Sequence, residues 1–119
     1  MSTNSVPNPP GKPSQFLYVL QLAPRLHEPA TWSGTDHAAI SRHLAYLQAA
    51  AERGQVILAG RTAEPFDRTF GVVVFEAADE AAARRFMERD PAVAGQIMTA
   101  NLHPYQVAVQ RGEPAGGAR

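Results

Sequence analysis

The alternation of strand-forming and helix-forming segments is the feature that most constrains how this chain can fold. Runs rich in β-branched and aromatic residues predict strands at residues 15–22, 55–60, 69–75 and 98–110. One helix is predicted to begin near Asp36 and to end before Gly54, because apolar residues recur there at helical spacing, namely Ile40, Leu44, Leu47 and Ala51. A second helix follows the N-cap residue Asp79 and ends at Asp90, before a proline. The order βαββαβ predicts an α+β ferredoxin-like sandwich with both helices on one face of a four-stranded antiparallel sheet.

One domain, residues 15–110, accounts for all of these segments. The chain has 119 residues, of which 45% are hydrophobic and 18% are charged, and such a composition is typical of one globular domain. Residues 1–14 are rich in Pro, Ser and Asn, and residues 111–119 are rich in Gly, Pro and Ala. Both ends are therefore predicted to be disordered tails.

The composition argues against several classes of partner and cofactor. Eleven basic and eleven acidic residues give a formal net charge of zero, which does not attract nucleic acid or an anionic membrane. The chain has no cysteine, so thiolate metal sites and thiol nucleophiles are excluded. No apolar run has the length of a membrane span or the character of a signal peptide. We expect a cytoplasmic protein without a metal or cofactor.

The second face of the predicted sheet is also apolar. Leu17 and Val19 on the first strand, and Phe70, Val72 and Val74 on the third, alternate with further apolar residues. If the helices cover one face, the other needs a different cover. We therefore expect a homodimer in which a second copy packs on that face.

Two polar residues interrupt the apolar faces of the predicted helices. His43 lies three residues after Ile40 and four before Leu47, so its ring is directed toward the sheet. Asp90 continues the apolar stripe of the second helix, at a helix end where the macrodipole disfavours a carboxylate. An aspartate that accepts from a histidine ring fixes its tautomer and suits it to general acid/base catalysis. Alternatively, His43 only satisfies its buried polarity and Asp90 is a solvated stop signal.

Three further residues are candidates for binding a substrate. Arg42 could clamp an anionic group, Gly60 could let a backbone N–H approach a ligand, and Arg61 could face the same pocket mouth as His43. The ordinary alternatives are a solvated helix residue, a turn glycine and a solvated loop residue. Trp32, in the long first loop, is either the anchor of a lid or a residue that packs over the core.

The sequence resembles the YciI-like, or YCII-related, domain family between about Phe16 and Val109. The resemblance is carried by five segments in order, namely His43-Leu-Ala-Tyr-Leu-Gln, Glu52-Arg-Gly-Gln-Val-Ile-Leu-Ala-Gly60, Gly71-Val-Val-Val-Phe-Glu76, Asp90-Pro-Ala-Val and Leu102-His-Pro-Tyr105. It implies a dimeric α+β barrel with an active site built on a His–Asp pair, here His43 and Asp90. The family often has Ala-Gly-Pro after the second strand, where this chain has Ala59-Gly60-Arg61.

Two functions remain open at this point. The first is a small cofactor-independent enzyme of lyase, dehydrochlorinase or isomerase type, in which His43 and Asp90 perform acid/base chemistry on a small organic ligand. The second is a non-catalytic module that binds a small molecule or acts as a dimeric structural unit. Oxygenase chemistry is a further possibility, because folds of this type host many activities.

Overall fold

The computed structural model describes residues 14–112, which form a four-stranded sheet and three helices. The strands are β1 (Ser14–Leu22), β2 (Val56–Arg61), β3 (Gly71–Ala77) and β4 (Met98–Tyr105). The helices are α1 (Gly34–Glu52), α2 (Glu80–Arg89) and the short α3 (Pro91–Ala94). Ser14 already belongs to β1, and the remainder of the two predicted tails, apart from residues 111 and 112, lies outside the described residues.

The sheet has the topology that the sequence predicts. Its strand order is β2-β3-β1-β4, and every neighbouring pair is antiparallel. The element order βαββαβ is therefore found, with α3 added between α2 and the last strand. Pro104 pairs with Phe16 and lies on β4, an edge strand, where the missing N–H interrupts no inner ladder.

One face of the sheet packs against both long helices. The inward side chains of β1 include Phe16, Tyr18 and Leu20, which join the main apolar cluster with Leu47 of α1 and Phe86 of α2. Because β1 alternates in burial with a period of two, its remaining residues face the opposite side. The prediction that both helices lie on one face is therefore confirmed.

The buried side of α1 differs from the predicted one by a rotation of the helix. Ile40, Leu44, Leu47 and Ala51 were the expected apolar row, yet Leu44 is 59% exposed. The buried row consists of Ala39, His43, Leu47 and Ala50. Leu47 belongs to both rows, so the buried side is turned by less than the roughly 100° that separates adjacent residues around a helix. The small alanines in the buried row give a weak hydrophobic signal. The rotation moves His43 to the centre of the buried row.

The long connection between β1 and α1 is fastened to the domain at both ends. Arg25 makes two hydrogen bonds, of 3.0 and 3.1 Å, to the carboxylate of Asp36 in the first turn of α1. The indole Nε1 of Trp32 donates to the carbonyl of Leu26 at 2.9 Å. Trp32 also packs against a second apolar cluster that contains Leu26 and Ala39. The loop is thus a folded cap, and of the two predicted roles Trp32 has the packing one.

The outer face of the sheet carries an apolar strip without a helix over it. Leu17 pairs with Val74 and Val19 pairs with Val72, while Leu58 pairs with Val74 from the edge strand β2 and is 56% exposed. No described helix is both long enough and apolar enough to cross a lipid bilayer.

Candidate functional site

His43 and Asp90 meet where α1 passes the junction between α2 and α3. The His43 Nδ1 atom lies 2.6 Å from Asp90 Oδ1. His43 is 7% exposed and Asp90 is fully buried. The juxtaposition inferred from their anomalous helix faces is therefore present in the folded chain.

Asp90 ends one helix and begins the next, which explains how a carboxylate can be buried there. It is the C-cap of α2 and also the N-cap of α3. Its Oδ1 accepts from the backbone N–H of Ala92 at 2.9 Å, and Pro91 occupies the first helical position, which favours a helix start. The expectation of an unfavourable helix end was incomplete, because the Asp90-Pro91 break is immediately followed by a new N-terminus.

Tyr18 is a third member of the site that the sequence did not identify. Its hydroxyl donates to Asp90 Oδ2 at 2.8 Å, and its side chain is fully buried. Burial, and next the adjacent Asp90 charge, raise the pKa of the Tyr18 hydroxyl well above its usual range. The available signal was a tyrosine at an inward strand position between Phe16 and Leu20, since a buried tyrosine hydroxyl needs a partner.

The hydrogen bonds around Asp90 define which form of the imidazole fits the site. The backbone N–H of Ala92 is a donor, and the Tyr18 hydroxyl donates to the other carboxylate oxygen. A carboxylate accepts only, so His43 Nδ1 carries the hydrogen of the third bond. The opposite ring nitrogen, Nε2, has no hydrogen-bond partner among residues 14–112, and in the neutral ring it is the nitrogen that holds the lone pair.

The site lies between the two apolar clusters of the domain. Tyr18 belongs to the main cluster and Leu47, one turn after His43, belongs to it as well. Ala39, one turn before His43, and Ala92 belong to the second cluster. This apolar setting strengthens the hydrogen bonds inside the site, and little of His43 is accessible to water.

Gly60 and Arg61 line a groove at the edge strand β2. The other lining residues are Leu58, Ala59, Thr62, Phe70 and Val72, and neither His43 nor Asp90 lines this groove. Gly60 pairs with Val72, which faces the outer side of the sheet. A Cβ added to Gly60 would meet no atom within 4 Å, so no close approach in this chain requires glycine there.

The two candidate arginines have different surroundings. The Arg61 guanidinium carbon lies 5.7 Å from the ring centroid of Phe66, and Phe66 stacks on Trp32 at 5.3 Å. Arg61 therefore belongs to an aromatic cluster at the end of β2. Arg42 is exposed on α1 and makes no hydrogen bond or ion pair with a described residue. Among the described residues, Arg61 contacts Thr62 and Phe66 and makes no hydrogen bond or ion pair with His43 or Asp90.

The grouping of acidic and imidazole side chains offers little to a metal ion. Within residues 14–112, no three His, Asp or Glu side chains come together as a possible metal centre. In the His43–Asp90 pair, each carboxylate oxygen and Nδ1 already take part in hydrogen bonds. What the arrangement offers is one free imidazole nitrogen with an oriented carboxylate behind it, which suits proton transfer.

Solved structures with the same fold include an enzyme. The 5-chloro-2-hydroxyhydroquinone dehydrochlorinase of Burkholderia phenoliruptrix AC1100, in complex with 2,5-dihydroxybenzoquinone, superposes with a TM-score of 0.59. The two are 18% identical over 77% of this chain and 93% of that chain. A variant of SnoaB, a cofactor-independent oxygenase from Streptomyces nogalater, gives a TM-score of 0.44 at 15% identity, covering 84% and 97% of the two chains. At these identities the dehydrochlorinase supports the α+β fold alone.

Sequence comparison agrees with the resemblance noted from the segments around His43 and Asp90. No match to a curated protein sequence was found. The profile of the YCII-related domain matches residues 24–102, which include both His43 and Asp90. That match spans well over half of the chain, and the protein therefore belongs to the YCII-related domain family.

Proposed function

We propose that this protein is a small enzyme in which His43 acts as a general base and acid, oriented by Asp90. The observation that carries the proposal is the hydrogen bond between His43 Nδ1 and a fully buried carboxylate. In the neutral ring that bond places the hydrogen on Nδ1, so that Nε2 carries the lone pair that a general base requires and is oriented by the fold. Asp90 stabilises the imidazolium that forms when Nε2 takes a proton.

The reaction class that fits best is proton abstraction followed by elimination or isomerisation. His43 Nε2 would remove a proton from a carbon or hydroxyl of the substrate. The electron pair left behind would form a double bond, and in an elimination a leaving group such as chloride would depart with its own pair. The imidazolium would then return its proton to water or to another position of the product. The imidazole of His43 is the one proton carrier in these steps.

A small oxygenated cyclic compound is the substrate class to examine first. The dehydrochlorinase that shares this fold acts on a chlorinated hydroxyhydroquinone. Acidic ring hydroxyls would supply a proton that an imidazole can remove.

Replacement of His43 tests the proposal directly. We expect wild-type protein to release chloride from 5-chloro-2-hydroxyhydroquinone and His43→Gln to lose about 100-fold or more in kcat, because general base catalysis contributes about 10²–10⁴-fold. Arg85→Gln, at an exposed position on α2, is the control and should keep wild-type turnover. Full chloride release by His43→Gln would contradict the proposed role.

A non-catalytic module is the second candidate, favoured by the low exposure of the pair. His43 is 7% exposed, and it does not line the groove beside Gly60 and Arg61. A histidine buried in this way needs no catalytic role, because its hydrogen bond to Asp90 already satisfies a buried polar group. Titration with 2,5-dihydroxybenzoquinone, followed by the NMR signals of the His43 ring, separates the catalytic role from the structural one. If His43 is catalytic, we expect the ring signals to move. If His43 is a structural residue that no ligand reaches, we expect them to stay unchanged.

We further propose that a second copy of the chain covers the outer face of the sheet. The apolar strip formed by Leu17, Val19, Leu58, Val72 and Val74 is continuous across three strands. An apolar sheet face of this kind is usually covered by another layer. The resulting homodimer would place two sheets face to face, as the resemblance to the family implies.

A pair of leucines with nearly equal exposure tests the dimer. Leu58 on the outer sheet face is 56% exposed and Leu44 on α1 is 59% exposed. We expect Leu58→Lys to shift the protein from dimer to monomer in size-exclusion chromatography with light scattering, since a buried unpaired charge opposes association. Leu44→Lys should remain dimeric. A wild-type monomer at micromolar concentration, or a dimer unchanged by Leu58→Lys, would contradict the proposal.

A further inference from the structure

We infer that Tyr18 is a positioning residue, which holds the Asp90 carboxylate in the orientation that keeps His43 Nε2 free to act as a base. The inference deepens the proposed function and rests on it for its meaning in catalysis. The hydrogen bond from the Tyr18 hydroxyl to Asp90 Oδ2 is its structural basis.

The two oxygens of Asp90 have separate partners. Oδ1 receives the His43 Nδ1 hydrogen and the backbone N–H of Ala92, at 2.6 and 2.9 Å. Oδ2 receives the Tyr18 hydroxyl at 2.8 Å. Rotation of the carboxylate about its Cβ–Cγ bond would break at least two of these bonds at once. Without Tyr18, Oδ2 would be a buried acceptor lacking its donor, and the carboxylate would gain freedom to turn toward other partners.

The Tyr18 hydroxyl is itself held in a fixed place. Its ring contacts Phe75 edge-on at a centroid distance of 5.5 Å and lies 6.3 Å from the ring of Phe86. The backbone of Tyr18 is in β1, between two hydrogen-bonded strands. Because burial raises the pKa of this hydroxyl, it stays a donor across the working range of pH. A rigid, permanently protonated phenol is well suited to orient a carboxylate.

A purely structural role for the hydroxyl makes a different prediction. In that case the bond only satisfies two buried polar groups, and removal of the hydroxyl lowers the free energy of unfolding without any effect on the His43 ring. A positioning role requires that removal of the hydroxyl also changes the His43 tautomer. The ring tautomer therefore separates the two roles without the need for a substrate.

The experiment is ¹⁵N NMR of the imidazole rings in wild-type protein and in Tyr18→Phe. We expect the wild-type His43 ring to be in one tautomer, with hydrogen on Nδ1, and Tyr18→Phe to shift it to a mixture with hydrogen on Nε2. Tyr46→Phe is the matched control, because the Tyr46 hydroxyl donates to the carbonyl of Phe86 at 2.7 Å without contact to Asp90. It should leave the His43 tautomer unchanged.

Two outcomes would overturn the inference. A wild-type His43 ring with hydrogen on Nε2 would contradict it even if Tyr18→Phe did not fold. A Tyr18→Phe ring with the wild-type tautomer would assign the hydroxyl a structural role alone.

These results are distinguishable from a failure of the proposed function. If His43→Gln keeps full turnover, the pair is not catalytic, whereas the tautomer shift in Tyr18→Phe still reports on how Asp90 is positioned. If the pair is catalytic, Tyr18→Phe should lower kcat with little change in KM, and Tyr46→Phe should change neither.

Discussion

Two buried aspartates cap helices in this domain, and their partners give them different properties. Asp36, in the first turn of α1, accepts from the backbone N–H of Ser33 and from the guanidinium of Arg25. Asp90, at the start of α3, accepts from its own helix terminus and from His43 and Tyr18. Both carboxylates are almost inaccessible to solvent, at 4% and 0%.

The difference lies in whether the partner can exchange a proton. Arginine is always charged, and its hydrogen bonds to Asp36 hold the pKa of that carboxyl well below its usual range. This pair fastens the β1–α1 loop and has no proton to give near neutral pH. The partner of Asp90 is a histidine, a residue type that can take up and release a proton in catalysis. Burial of an aspartate is therefore not by itself a sign of catalysis, and the chemistry of its partner decides.

Replacement of either aspartate by alanine should have its largest effect on the free energy of unfolding. Asp90→Ala leaves three buried donors without an acceptor, and we expect a loss of about 3–5 kcal/mol in the free energy of unfolding. Asp36→Ala should lose less, because Arg25 is more than half exposed and can return to water. Urea denaturation monitored by circular dichroism measures both.

Asp79→Ala is the control for capping alone. Asp79 is exposed and its side chain accepts from the backbone N–H of Ala82 at 2.8 Å. Loss of such a cap lowers the free energy of unfolding by about 1 kcal/mol. If Asp90→Ala lost no more than Asp79→Ala, the contribution of Tyr18 and His43 to the buried network would be negligible, and the contrast with Asp36 would disappear.

A smaller effect is expected in the acid dependence of stability. The folded-state pKa of Asp36 lies below the unfolded value of about 3.9. Its stabilising contribution is therefore complete above that value and is lost as pH falls from about 4 toward the lower folded-state pKa. Arg25→Gln should be less stable than wild type at neutral pH, with the gap closing below about pH 4.

The measurement is urea denaturation of both proteins at a series of pH values, in low and high salt. High salt should reduce the gap at neutral pH, since Arg25 is largely exposed. A gap that stays constant as pH falls through the acidic range would show that the Arg25–Asp36 pair is not the source of the difference.

Much of the fold was predictable because local signals agreed with one another. The β-branched run that became β3 and the N-cap Asp79 were read correctly, although β3 begins at Gly71 and not at Thr69. The buried row of α1 was misplaced, since Ala39 and Ala50 differ little in polarity from their exposed alanine neighbours. Which row of a helix is buried depends on the surface it meets, and that surface is formed by distant strands.

The site was predictable in part for a related reason. His43 and Asp90 stood out because each placed a polar group on an apolar helix face. Tyr18 did not stand out, because a tyrosine in a strand is common. The surroundings of Arg61 were not predictable, since nothing in the local sequence states that β2 is an edge strand of the sheet.

The sequence by itself determined the βαββαβ order, the N-cap Asp79 of α2 and the two polar residues that break the apolar pattern. These features depend on neighbours a few positions apart. Only the tertiary structure decided that Asp90 begins α3 as well as ending α2, and that its second oxygen belongs to Tyr18, 72 positions earlier in the chain. Contacts over such separations are set by the register and packing of the whole sheet against its helices. That packing leaves one imidazole nitrogen free beside a carboxylate held by three hydrogen bonds.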